Sequence, residues 1–110
     1  MRRVKPETDR QAAIVGALEK TGRLVLRIHS GKVPVRGGWM QLAPKGTPDL
    51  YVVGWGWLET KTDKTKPTPE QLAMHERLRA AGELVEVVRT PAEAISAVQV
   101  GGKVRWGKAG

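Results

Sequence analysis

The sequence predicts an α/β domain. Helical and strand-like segments alternate along it, two stretches carry paired start and stop signals for helices and a third a start signal, and two short β-rich runs joined by a glycine turn lie between the first two helices. A chain of 110 residues suits one modest hydrophobic core.

The elements follow in order. Pro6 to Lys20 reads as a helix, with proline in the first turn and Gly22 just past the end. One stripe of it holds Glu7, Gln11, Ile14 and Leu18, polar first and apolar afterwards. Two readings stand: a first turn that emerges into solvent, or Glu7 and Gln11 reaching a site at the edge of the core. Arg23 to His29 alternates as a strand, with Leu24, Leu26 and Ile28 on one face. Ser30 to Gly38, with three glycines, a proline and the cations Lys32 and Arg36, reads as a mobile basic loop, and Trp39 to Leu42 as a short strand.

Leu50 to Val53 and Trp57 to Thr60 are short, apolar strands around a Gly54-Trp55-Gly56 turn. Thr62 to Pro69 is a polar connection. Thr68 is a fitting N-cap, with Pro69 at the first helical position and Gln71 where a capping box needs it, and the helix stops at Gly82. Gln71, Met74, His75 and Leu78 share one face. Leu84 to Val88 is a further strand, Pro91 to Val98 a short helix started by Thr90, and the end from Lys103 to Lys108 a basic tail.

Composition narrows the partners. Nineteen Lys and Arg against eleven Asp and Glu give a net charge of +8, which favours a polyanion and makes nucleic acid the first candidate. Cysteine is absent, so neither a disulfide framework nor a cysteine zinc site exists. No run nears ~18 consecutive apolar residues and the N-terminus lacks an apolar signal core, so secretion and membrane spanning are not expected. A cytoplasmic location is.

The hairpin carries the chemistry. Asp49, behind Gly46-Thr47-Pro48, starts one strand, and Glu59 and Lys61 end its antiparallel partner, so all three gather at one end. Glu59 and Lys61 share a face, with Thr60 on the other. Two carboxylates so close call for a cation, and Mg²⁺ or Mn²⁺ suits oxygen donors that leave room for water. A lysine beside such a site can hold the attacking water and offset charge building on a phosphate. Glu-x-Lys alone is commonly a solvated strand face, and Pro48-Asp49 at hairpin distance is what lifts it above that. Gln71 has a capping reading that needs no site, beside the one that puts it at the carboxylates. His29 and His75, 46 positions apart without ligand spacing, are expected to be structural.

The ordered set of Glu7 and Gln11 on a helix, Gly46-Thr47-Pro48-Asp49-Leu50, Leu58-Glu59-Thr60-Lys61, Gln71 opening a helix and Ala81-Gly82-Glu83-Leu84-Val85-Glu86-Val87-Val88 resembles the VRR-NUC family of the PD-(D/E)XK nuclease superfamily, in its small stand-alone phage or bacterial form. The resemblance spans about residues 6–98 and treats 1–110 as one domain with a basic tail over 99–110. It implies a restriction-endonuclease-like core, a mixed central sheet of about four to five strands flanked by helices on both faces. It makes Asp49 and Glu59 metal carboxylates, the Thr60 carbonyl a further ligand and Lys61 the catalytic lysine. Glu7 would bind a metal water or second ion, and Gln71 would shape the site. Thr60 stands where a small hydrophobe is frequent, and the signature that names the family survives only as Val87-Val88-Arg89.

The implied activity is Mg²⁺- or Mn²⁺-dependent hydrolysis of DNA by an endonuclease, selective for branched or Holliday-junction-like structures and working as a homodimer. Arg27, Lys32, Arg36, Lys45, Lys64 and Lys66 are the candidate phosphate contacts. The rival is a non-catalytic basic nucleic-acid-binding module. Among the four tryptophans, Trp57 is expected in the core with Trp39 as a second core candidate, and Trp55, in the turn, is the better placed for a partner or for base stacking.

Overall fold

The computed structural model describes the backbone of residues 6–101 and the side chains of residues 10–99. The side chain of Glu7 and the tail from Lys103 lie outside the described residues. The elements run α1 (Pro6–Lys20), β1 (Val25–Arg27), β2 (Lys32–Val35), β3 (Gly38–Gln41), β4 (Leu50–Val52), β5 (Gly56–Thr60), α2 (Pro69–Ala80), β6 (Leu84–Val88) and α3 (Pro91–Gly101).

The main sheet has the order β1-β4-β5-β6. Its first three strands are antiparallel neighbours, and β6 runs parallel to β5, because the helix α2 carries the chain across between them. This is the mixed sheet expected of the fold class. Alternation sends Val25, Leu50, Val52 and Leu58 to one face, where they meet Ile14, Val15 and Leu18 of α1 and Ala94 and Val98 of α3 in one buried cluster. On the opposite face α2 packs on β6.

That asymmetry decides which face of the first strand is buried. Val25 is buried, while Leu24 and Leu26 are exposed, since the helices that bury β1 lie on the Val25 side and α2 packs at the far edge of the other face. The expected basic loop is also ordered otherwise. Lys32 to Val35 pairs with Gly38 to Gln41 as a separate two-stranded arm, closed by Arg36-Gly37 with Gly37 at a φ of 88°.

The tryptophans exchange their expected places. Trp55 is 1% exposed and belongs to the core cluster, because the glycines on either side, at φ 83° and 153°, fold its turn back onto the sheet. Trp57 is half-buried on the other face, with its ring centroid 4.8 Å from that of Tyr51 and its Nε1–H donating to Glu83 at 3.2 Å. Trp39 is 69% exposed, out on the β2–β3 arm.

The approach to Asp49 depends on Gly46. Its φ is 94°, and a Cβ there would lie 2.5 Å from the Glu70 carbonyl oxygen in the first turn of α2. The turn before Asp49 therefore sits directly on α2, and only glycine permits it. Gly46→Ala is expected to cost about 2 kcal/mol or more in urea unfolding. Gly16→Ala, inside α1 with nothing within 4 Å of the added atom, should instead stabilise by roughly 0.5–1 kcal/mol.

Candidate active site at the end of the β4–β5 hairpin

The ladder sets the geometry. Leu50 faces Leu58, so one step further Asp49 comes opposite Glu59 and Pro48 opposite Thr60. The Lys61 N–H donates to Val88 on the β6 side, at 3.0 Å. By alternation the Thr60 N–H and carbonyl point the other way, toward β4. The Thr60 N–H meets the Asp49 carboxylate at 3.1 Å and the Thr60 hydroxyl donates to its other oxygen at 2.7 Å. Pro48 has no N–H to offer the Thr60 carbonyl, so that oxygen and the Asp49 carboxylate lie together on the β4 side of the strand end.

Helix α1 closes this side. The Gln11 side-chain amide donates to the Thr60 hydroxyl at 3.5 Å, so a polar chain runs from Gln11 through Thr60 to Asp49. Between the two readings of the α1 stripe, Gln11 follows the one that reaches a site.

Helix α2 closes the other. Glu59 is 2% exposed, Lys61 8% and His75 1%. The Glu59 carboxylate accepts from Gln71 Nε2 at 3.3 Å, lies 3.3 Å from His75 Nε2 and 4.0 Å from the Lys61 ammonium. Gln71 serves both roles that its position suggested. Its carbonyl oxygen accepts from the Thr68 N–H at 2.9 Å, and its own N–H is capped by the Thr68 hydroxyl at 3.2 Å, which leaves the amide nitrogen to face Glu59.

His75, expected to be structural, is buried against Glu59, the acidic residue of the Glu-x-Lys strand. It follows Gln71 by four residues, so one helix face presents both. Burial lowers its pKa from the ordinary histidine value, helped by the charges of Arg79 and Lys61. The lowered value favours the neutral ring, and the tautomer with its proton on Nε2 is the one that can donate to Glu59.

Asp49 differs. Burial raises its pKa from the ordinary carboxylate value, against the two Thr60 hydrogen bonds and the Lys61 charge, which lower it. A cleft of about 540 Å³ opens beside it, lined by Gln11, Arg27, His29 and Asp49 together with Val33 and Leu42 near the arm. Of the expected phosphate contacts, Arg27 thus reaches the cleft. Lys32 and Arg36 stand on the arm, Lys64 and Lys66 follow Lys61 on an exposed loop, and Lys45 pairs with Glu70 at 3.8 Å.

Arg89 was legible only as the end of a weakened signature. Its guanidinium donates to the carbonyls of Thr62 and Thr65 at 3.2 and 3.1 Å, and Arg10 donates to its carbonyl oxygen. The loop leaving Lys61 is thereby tied to the end of β6. The signal was available in the parallel pairing, which brings the ends of β5 and β6 side by side.

Among the described residues no group of three or more His, Cys, Asp or Glu side chains is arranged to hold a metal. The hairpin end instead offers two carboxylates and a backbone carbonyl. These are hard oxygen donors, and a carboxylate kept partly desolvated next to them has the character a hard cation takes up with waters filling the remaining positions.

The raised value of Asp49 has a consequence for stability. The native state binds this proton more tightly than the unfolded chain, so ionised Asp49 subtracts stability at neutral pH, and the loss vanishes as pH falls below the unfolded carboxylate value. In EDTA, Asp49→Asn is expected to melt higher than wild type at pH 7, with the difference shrinking as pH falls through the carboxylate range.

No family model matches the chain, and no curated protein matches it. A solved structure described as a VRR_NUC domain does, with a TM-score of 0.63 and 28% identity, over 87% of this chain and 97% of that one. With the mixed four-stranded sheet and its flanking helices, this likeness shows a VRR_NUC-type fold and supports the resemblance to that family of nuclease-type domains.

Proposed function

We propose that the protein is a Mg²⁺- or Mn²⁺-dependent endonuclease that hydrolyses DNA phosphodiester bonds. The observation that carries this reading is the buried Glu59–Lys61 pair at the end of β5, 4.0 Å apart, with Asp49 at the same hairpin end and open to a cleft that Arg27 lines. Burying a carboxylate and an ammonium is costly for a fold that needs only stability, and a carboxylate whose pKa is raised beside a cleft, as that of Asp49 is, supports a chemical role.

Asp49, Glu59 and the Thr60 carbonyl would hold the divalent ion. When bound, it supplies Lewis-acid polarisation of the phosphate and a more acidic water. Lys61 holds the attacking water in line and offsets negative charge as it gathers on the phosphoryl oxygens. Gln71 and His75 fix the Glu59 carboxylate through its two oxygens, so that it meets the ion in one orientation. Gln11 does the same for Asp49 through the Thr60 hydroxyl. Arg27, Lys32, Arg36, Lys64 and Lys66 position the DNA backbone without reading its bases. The expected products carry a 5′-phosphate and a 3′-hydroxyl.

Selectivity for branched DNA and a symmetric dimer belong to the same reading. Leu26 on the edge strand β1 and Leu24 just before it, both exposed, are the apolar surface that a two-fold pairing would cover. A basic module without catalysis would bind DNA just as salt-dependently, and the buried Glu59–Lys61 pair is what disfavours it.

The test is cleavage of labelled single-stranded, duplex, flap and four-way-junction DNAs with Mg²⁺, with Mn²⁺ and with EDTA. Cutting is expected with either metal and none in EDTA. Lys61→Ala, with its fold checked by circular dichroism, is expected to lose on the order of 10²–10³-fold in rate while DNA affinity stays within about threefold of wild type. DNA bound and uncut under every metal would leave the binding module as the better account.

A further inference from the structure

The β2–β3 arm takes no part in the chemistry at Asp49, yet it is built at a cost. Two strands of four residues cannot make a core of their own, and the arm leaves Trp39, Met40 and Val35 at 69%, 50% and 43% exposed. An indole held in water is unfavourable unless something covers it.

Its surroundings indicate what does. From Lys20 to Pro48 the chain carries no acidic residue, while Lys20, Arg23, Arg27, Lys32, Arg36 and Lys45 all fall within this span. A second copy of the arm itself would bring Lys32 and Arg36 against like charges, and a polyanion would not. Pairing puts Trp39 across from Pro34 and Lys32 across from Gln41, so Trp39, Pro34, Lys32 and Gln41 share one face. The other face carries Val33, which together with Leu42 lines the cleft that holds Asp49. The arm is thus a wall of the candidate active site with an aromatic and a cation on its outer side.

We propose that Trp39 is a stacking platform for an unpaired base, with Lys32 at the adjoining phosphate, so that the DNA that enters the Asp49 cleft carries unpaired nucleotides that pass over the outer side of the arm. This rests on the DNA-hydrolysis reading above. Every base offers a π-face once it leaves the helix, and an indole takes it without regard to sequence. In continuous duplex those faces are already stacked on their neighbours, and Trp39 gains nothing from them.

Binding measured in EDTA separates this proposal from the chemistry. Fluorescence anisotropy compares a labelled duplex bearing a single-stranded tail with the same duplex fully paired, for wild type, Trp39→Ala and Trp39→Phe. Trp39→Ala is expected to weaken binding of the tailed DNA about tenfold and that of the paired DNA less than about twofold, with Trp39→Phe recovering most of the loss. A 2-aminopurine in the tail should be quenched by wild type and not by Trp39→Ala. Equal losses on both DNAs, or none on either, would overturn the proposal, as would sedimentation showing that wild type is a dimer and Trp39→Ala a monomer. Failure of the hydrolysis reading is seen elsewhere, in DNA that is never cut or in a Lys61→Ala variant that cuts like wild type.

Discussion

A carboxylate and an ammonium lie almost wholly buried two residues apart at the end of β5, and the packing of α2 is the answer to them. Glu59 is met by Gln71, His75 and Lys61, and Gln71 is in turn fixed by the N-cap that starts the helix. The capping box and the candidate site are therefore one hydrogen-bonded unit. Leaving a buried charge without its partner costs about 3–5 kcal/mol, which ties the position of α2 to the orientation of a single carboxylate. The Gly46 turn rests on the first turn of the same helix, so the approach to Asp49 is set by that element too.

The two carboxylates are held by different means, and the difference is chemical. Glu59 is surrounded by donors from α2, whereas Asp49 meets the Thr60 N–H and hydroxyl and pays for its burial with a raised pKa. The first is an oriented anion. The second is one that a cation would relieve. Thr60, between Glu59 and Lys61, joins both halves: its hydroxyl connects Asp49 to Gln11 of α1, and its carbonyl faces a proline that cannot bond it.

Much of this was legible in the sequence because it is local. The Thr68-Pro69 start, the Gly54-Trp55-Gly56 turn and the strand alternation that pairs Glu59 with Lys61 each follow from a few neighbouring residues. What was not legible depends on which face of the sheet a helix covers. Val25 rather than Leu24 and Leu26 is buried because α1 and α3 lie on its side, and no pattern within β1 says so. Trp55 is in the core because its turn folds back, while Trp57 is pinned by Tyr51 and Glu83 on the less covered face. β2 reads as a loop in the sequence because glycine and proline outweigh the alternation of Val33 and Val35, whereas β3 falls on the expected short strand Trp39 to Leu42. His75 and Arg89 went unassigned because their partners, Glu59 and the Thr62–Thr65 loop, lie 16 and more than 20 residues away.

The account holds that Asp49 and Glu59 share one divalent cation, although different elements hold them. Mn²⁺ titration followed by electron paramagnetic resonance, on wild type, Asp49→Asn and Glu59→Gln without DNA, addresses this directly. The account predicts saturable binding by wild type that either substitution weakens by at least about tenfold. Binding that survives both substitutions unchanged, or that wild type lacks altogether, would contradict it.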